Sequence, residues 1–237
     1  MQKQRIGVVT GATHGLGKAI SCHLADLGFD LVLIARSQNR LIELADSLVA
    51  AGHRALPISC DVADPAQLLA ARDEIARHYE QVHVLVNNAG IPAPRTFEET
   101  DFASWNAVIG TNLTGAFYMT RALWDLLKAS DGAYVINISG TSGRRGGSSP
   151  AYGSAKFGLT GLTRAIAASG QSHNIRSTVL YPGAMDTGWR GAAIGVRPAR
   201  ETMNPAEVAR YVGYLIETPT EFVVNESVLN PIDDVWL

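Results

Sequence analysis

The stretch "SSPAYGSAKFGL" (148–159) sets Tyr152 and Lys156 four residues apart at the start of an apolar-periodic run. Residues i and i+4 share a helix face, so a phenol and an ammonium would meet there one turn apart. A phenol of pKa ~10 is a poor base near neutrality. A cation beside it is what would favour its anion. Taken alone, the pair reads first as a surface contact on a helix, and the rest of the chain must decide.

A second group of residues points to phosphate. "TGATHGLG" (10–17) puts Gly11, Gly15 and Gly17 between a β-rich run and a helical one, with Thr13, His14 and Leu16 in the same turn. Glycines serve where the backbone bends sharply and approaches a ligand with no Cβ in the way. A helix starting there offers unpaired N–H groups and the positive end of its dipole, which suits a pyrophosphate. The spacing is G-x-x-x-G-x-G, neither the common dinucleotide fingerprint nor a P-loop. A plain tight turn is the competing reading, and His14 in particular fits a tolerated turn residue.

The next strand bears on which dinucleotide would bind. An Asp or Glu at its end would hold a ribose 2′-hydroxyl, whereas a basic residue accommodates a 2′-phosphate. Here "LVLIARSQNR" places Ala35 where the acid is expected and Arg36 after it. A guanidinium can clasp the phosphate with two hydrogen bonds. NADP(H) is therefore expected ahead of NAD(H), with Ser37 and Arg40 as helpers. An Arg36 that merely faces water is the alternative.

These residues need a scaffold, and short apolar runs alternate with helical patterns along the chain. Strands are expected at 5–10, 30–36, 54–62, 82–90, 133–139 and 175–183, with "EFVVNESVLNP" (221–231) following the last helix. Helices are expected at 15–28, 39–52, from Pro65, over a long 101–129 segment, around Tyr152 and at 205–217. The runs are continuously apolar, as in strands covered on both faces. The pattern predicts an α/β fold: a single domain with a doubly wound parallel sheet of about seven strands and helices on both faces. Ligands of such sheets sit at the carboxyl ends of the strands. The Gly- and Pro-rich stretch 184–203 would hang there as a substrate loop or lid.

Bulk composition narrows the classes. The chain has 237 residues, 46% hydrophobic and 18% charged, with a net charge of −2. A large core is available, and no basic surplus argues for nucleic acid or an anionic membrane. Cys22, Cys60 and six scattered histidines show no metal-ligand spacing, so no metal is expected. No run is long enough for a membrane span, and the cytoplasm is the expected location.

Together these motifs resemble the short-chain dehydrogenase/reductase family. The resemblance runs through "TGATHGLG", "CDV" (60–62), "NNAG" (87–90), "TNLTG" (111–115), "NIS" (137–139), "YGSAK" (152–156) and "YPGAMDT" (181–187). It implies an oxidoreductase that interconverts a carbonyl and a secondary alcohol by hydride transfer. Tyr152 would be the general acid/base, aided by Lys156 and by the charge of the oxidised nicotinamide. Ser139 would bond the reacting oxygen, and the amide of Asn112 would help hold a water leading from Lys156 to solvent. Lys156 would also hold the nicotinamide ribose. Asp61 and Val62 would bracket adenine, and Asn88, Ala89 and Gly90 would line its ribose. Asn87 would tie neighbouring strands together. Pro182, Gly183, Met185 and Thr187 would lie beside the nicotinamide, Met185 replacing a more usual branched residue.

The substrate pocket is expected from 91–98, 140–150 and 184–203, with Trp189, Ile194 and Val196 as apolar walls. Arg144, Arg145, Arg190 and Arg197 read as solvated charges ahead of anion-binding ones. The resemblance further implies a homodimer or homotetramer, with Trp236 and Leu237 packed across a subunit boundary or on their own core. A dinucleotide-binding regulatory protein without turnover, an NAD(H)-preferring dehydrogenase of the same family, and a methyltransferase are the alternatives.

Overall fold

The computed structural model describes residues 4–147, 149–191 and 193–233. Seven strands pair in parallel: β1 (Arg5–Thr10), β2 (Phe29–Ala35), β3 (Ala55–Ser59), β4 (Val84–Asn87), β5 (Tyr134–Ile138), β6 (Arg176–Pro182) and β7 (Glu226–Leu229). Their order is β3-β2-β1-β4-β5-β6-β7. The order reverses between β1 and β4, and the strand ends part there to form a crevice.

Alternate residues of each strand enter different cores, which is why the runs read as unbroken apolar sequence. Val9, Leu31, Leu33, Val86 and Ile136 pack on one face, against helices α1 (Gly15–Asp26), α2 (Gln38–Ala50) and α9 (Pro205–Glu217). Val8, Val32, Ile34, Leu85 and Val135 face the other side. Helix α3 (Pro65–His78), helix α5 (Gly115–Ala122) and the start of α6 (Trp124–Ala129) cover that side, joined by Ile166 of α8 (Pro150–Gly170).

Boundaries follow local chemistry. Helix α3 starts at Pro65, with the Asp64 carboxylate accepting the N–H groups of Ala66 and Gln67. Those bonds hold the Asp64 carboxyl below its usual range. The long helical segment expected at 101–129 is interrupted. It consists of α4 (Phe102–Ile109), a π turn at Gly110–Thr114, then α5 and α6. Gly115 N–H reaches back to Gly110 C=O, five residues earlier, and the widened turn contains Asn112. A short helix α7 (Ser142–Arg145) follows β5.

No helix among the described residues is long and apolar enough to cross a membrane. Trp236 and Leu237 lie outside the described residues, as does the side chain of Arg190.

Candidate active site

The carboxyl ends of the strands open into one cleft of about 880 Å³. On one side it is lined by Gly11, Thr13, His14, Gly15 and Leu16 after β1, and by Arg36 and Ser37 after β2. Asp61 and Val62 follow β3 in it, and Asn88, Ala89 and Gly90 follow β4. Ser139, Tyr152 and Lys156 stand further along, with Pro182, Gly183, Met185 and Thr187 beyond them. Residues from six strand ends and two helices thus share one wall. Two expected site residues, Gly17 and Asn112, do not line it.

Gly17 is buried beneath the turn. A side-chain carbon there would lie 2.2 Å from the Gly11 carbonyl oxygen and 2.4 Å from Asn88 Nδ2. Its role is to let α1 close on the loop. Asn88 locks the same turn, donating to the carbonyls of Thr10 (3.0 Å) and Gly11 (3.3 Å). Thr10 Oγ1 in turn accepts the N–H groups of Asn88 and Ala89, so β1 and β4 are stitched at their ends. In sequence Thr10 carries no signal of this role beyond its place as the last residue of a strand.

The α1 N-terminus has no capping side chain and no acid in its first turn. Its N–H groups are therefore available to an anion. The exposed Arg36 stands at the end of β2 beside Ala35, with no carboxylate in place of either. His14 Nδ1 lies 2.9 Å from Thr13 Oγ1, and His14 Nε2 contacts Arg40. Partial burial, then the charges of Arg40 and Lys18, push His14 below the usual imidazole range. The turn, the bare helix end and the basic strand end together fit a dinucleotide with a phosphorylated ribose.

At the other end, Pro150 opens α8 and places Tyr152 half-buried in its first turn. The Tyr152 hydroxyl lies against Gly140: a side-chain carbon on that glycine would be 3.5 Å from it. Lys156 Nζ sits 5.6 Å from the centre of the Tyr152 ring and donates to the Ile138 carbonyl at 2.8 Å. Burial of the ammonium lowers its pKa to about 8. Ser139 is buried, and its hydroxyl donates to the Lys156 carbonyl at 3.0 Å. Helix α7 closes over the pair at Gly143, where a side-chain carbon would lie 2.2 Å from Ser139 Oγ. Trp189 extends this end, its ring centre 6.4 Å from that of Tyr152.

The Asn112 amide holds the segment after β4. Oδ1 accepts the Ile91 N–H (2.7 Å), and Nδ2 donates to the Ile91 carbonyl (2.9 Å). One N–H and one lone pair of the amide are left over from these two bonds. Asn87 is buried and donates to Asn137 Oδ1 (2.8 Å) and Thr120 Oγ1 (3.0 Å), which ties β4 to β5 and to α5. Of the expected apolar walls, Trp189 reaches the cleft. Ile194 and Val196 are 68% and 73% exposed and lie off it. Arg144 pairs with Glu226 and does not line the cleft, and Arg197 pairs loosely with Glu201 at 3.5 Å.

Comparison with known proteins shows the family and the fold. The family described as short chain dehydrogenase matches residues 5–194. A cis-4-hydroxycyclohexanecarboxylate dehydrogenase of Sinomonas cyclohexanicum is 34% identical over 93% of this chain and 92% of its own length. A 3beta-hydroxysteroid dehydrogenase of Mediterraneibacter gnavus is 34% identical over 78% of this chain and 67% of its length. An alcohol dehydrogenase of the archaeon Thermococcus sibiricus, solved in complex with 5-hydroxy-NADP, superposes with a TM-score of 0.93. It is 27% identical, and the match covers 99% of this chain and all of that one.

Proposed function

The chain belongs to the short-chain dehydrogenase family, and from that premise we propose that it is an NADP(H)-dependent reductase or dehydrogenase interconverting a ketone and a secondary alcohol. The observation that carries the reading is the convergence of Ser139, Tyr152 and Lys156 on the same cleft as the glycine turn and Arg36. NADPH, when bound, supplies the hydride from its nicotinamide ring.

The chain's own residues do the rest. The N–H groups at the start of α1 hold pyrophosphate, and Arg36 with Ser37 receives the 2′-phosphate. Ser139 turns its hydroxyl from the Lys156 carbonyl to the substrate oxygen and fixes the carbonyl's orientation. In reduction, the Tyr152 O–H would break and its proton would complete the alcohol as the carbonyl carbon takes up hydride. The alcohol-to-ketone direction reverses both transfers. Lys156, charged and out of water, favours the phenolate left on Tyr152 and holds the nicotinamide ribose. Asn112 keeps the segment 91–95 in place from behind.

An acid and a steroid stand among the substrates of the relatives, so their names do not choose one here. The cleft supports the catalytic reading over a purely regulatory one, because Ser139 and Lys156 are held beside Tyr152 by bonds that dinucleotide binding alone does not require.

The test is a panel of ketones followed at the NADPH absorbance, with Tyr152→Phe alongside. Turnover in the wild type, with a loss on the order of 10²–10⁴-fold in the variant and NADPH fluorescence on binding retained, is the expected result. Equal rates for the two proteins would leave only the binding role.

A further inference from the structure

Resting on the reading just given, we propose that the substrate carries an oxyanion, a carboxylate or a group like it, and that Arg95 receives it. Arg95 belongs to the segment after β4 and lines the cleft. Ser149 Oγ donates to the Pro94 carbonyl at 2.6 Å. That bond holds the residue before Arg95 against the start of α8, three positions from Tyr152. The segment is fixed at its other end too, by the two Asn112 bonds to Ile91. The guanidinium is thus carried on a positioned piece of backbone.

The nearby Glu99 carboxylate bonds the backbone at Arg95 and not its guanidinium. Glu99 Oε2 accepts the backbone N–H groups of Arg95 (3.0 Å) and Thr96 (3.3 Å). Among the described residues the Arg95 guanidinium has no hydrogen-bond or ion-pair partner. The acids lining the cleft do not supply one. Asp61 bonds the Ala63 N–H, and Asp186 accepts the Gly195 N–H with both oxygens at 2.9 Å. Arg197, which also lines the cleft, adds a second positive charge and makes an exposed 3.5 Å contact with Glu201.

Arg36 and Arg40 are accounted for at the ribose end of the cleft. Arg95 and Arg197 are the two other arginines lining the cleft, and their like charges make it more positive. A guanidinium fork without a carboxylate partner, in the same cleft as Tyr152, suits a planar carboxylate. The anion would orient the ketone as well as bind it.

Oxo acids of increasing length, linear and cyclic, would each be compared with their methyl esters, using the full chain, its Arg95→Gln and Arg95→Lys variants, and NADPH absorbance. A charge-assisted hydrogen bond predicts a kcat/KM for the acid about tenfold or more above that for the ester. Arg95→Gln should collapse that acid-to-ester ratio toward one. Arg95→Lys should keep part of it, since the charge stays and the fork does not. Added salt should shrink the ratio in the wild type. Acids and esters reduced alike, esters reduced in preference, or a ratio untouched by Arg95→Gln would each overturn the proposal. Failure of every ketone, neutral ones included, or of NADPH binding, would instead overturn the reading on which it rests.

Discussion

At the scale of single residues, the site turns on how an ammonium is kept out of water next to a phenol. Lys156 is 4% exposed and its ammonium donates to a neutral carbonyl, so burial works against its charge. Its proton is lost near pH 8 and not near 10.5. Two consequences have definite signs. Between about 8 and 10.5 the unfolded chain binds the extra proton, so this group's contribution to stability rises with pH there. Activity moves the other way, because the charge that favours phenolate disappears over the same range. The kcat/KM for ketone reduction should therefore fall with a midpoint near pH 8. Lys156→Arg, which keeps its charge, should move that limb upward in whatever rate it retains. A wild-type profile level to pH 10 would show that the charged form is not needed.

At the scale of elements, strand ends and helix starts do the binding, and short-range sequence reads them well. The α1 N-terminus is left bare because no Ser, Thr, Asp or Asn caps it. The end of β2 presents Arg36 with Ser37, the uncapping N-cap of α2, beside it. Arg36→Asp should weaken NADPH binding by at least about tenfold, from loss of a charge-assisted bond and gain of a repulsion, while NADH binding holds or improves. Fluorescence titration with the two cofactors checks it. An unchanged preference would move the 2′-phosphate site to Arg40 and Lys18, which share a smaller cavity with His14 nearby. Element interiors were less legible. The break of the long helix at Gly110–Thr114 has no proline to announce it, and it contains Asn112, which bonds Ile91 across space.

At the scale of the whole molecule, buried polar groups join elements distant in the chain. Asn87 and Asn137 link β4 and β5 to α5, and through Thr163 to α8, so the frame around Tyr152 is a connected network. At the opposite, amino-terminal end of β6, Arg176 stacks over Tyr134. It donates to Thr218, Pro219 and Phe222 at 2.9–3.1 Å, pinning the connection between α9 and β7. Arg176→Met would orphan several of those carbonyls at a cost of about 2–4 kcal/mol. For a chain of this size that lowers Tm by roughly 5–15 °C. NADPH affinity should be unaffected, because the cleft lies at the other ends of the strands. Calorimetry with and without NADPH separates the two effects.

Order along the chain, apolar runs and glycine spacing were enough to determine a parallel, doubly covered sheet, because each follows from contacts within a strand, a turn or a helix. They were also enough to nominate Tyr152, Lys156 and Arg36, whose positions are set by a helical turn or a strand end. Which side chains remain free for a ligand was decided only in three dimensions. Asn112 bonds Ile91, Glu99 bonds the backbone N–H groups of Arg95 and Thr96, and Ile194 and Val196 lie off the cleft. A hydrogen bond between residues far apart in sequence leaves no periodic trace, so the partner that satisfies a polar group, or leaves it unsatisfied, appears only when the chain has folded.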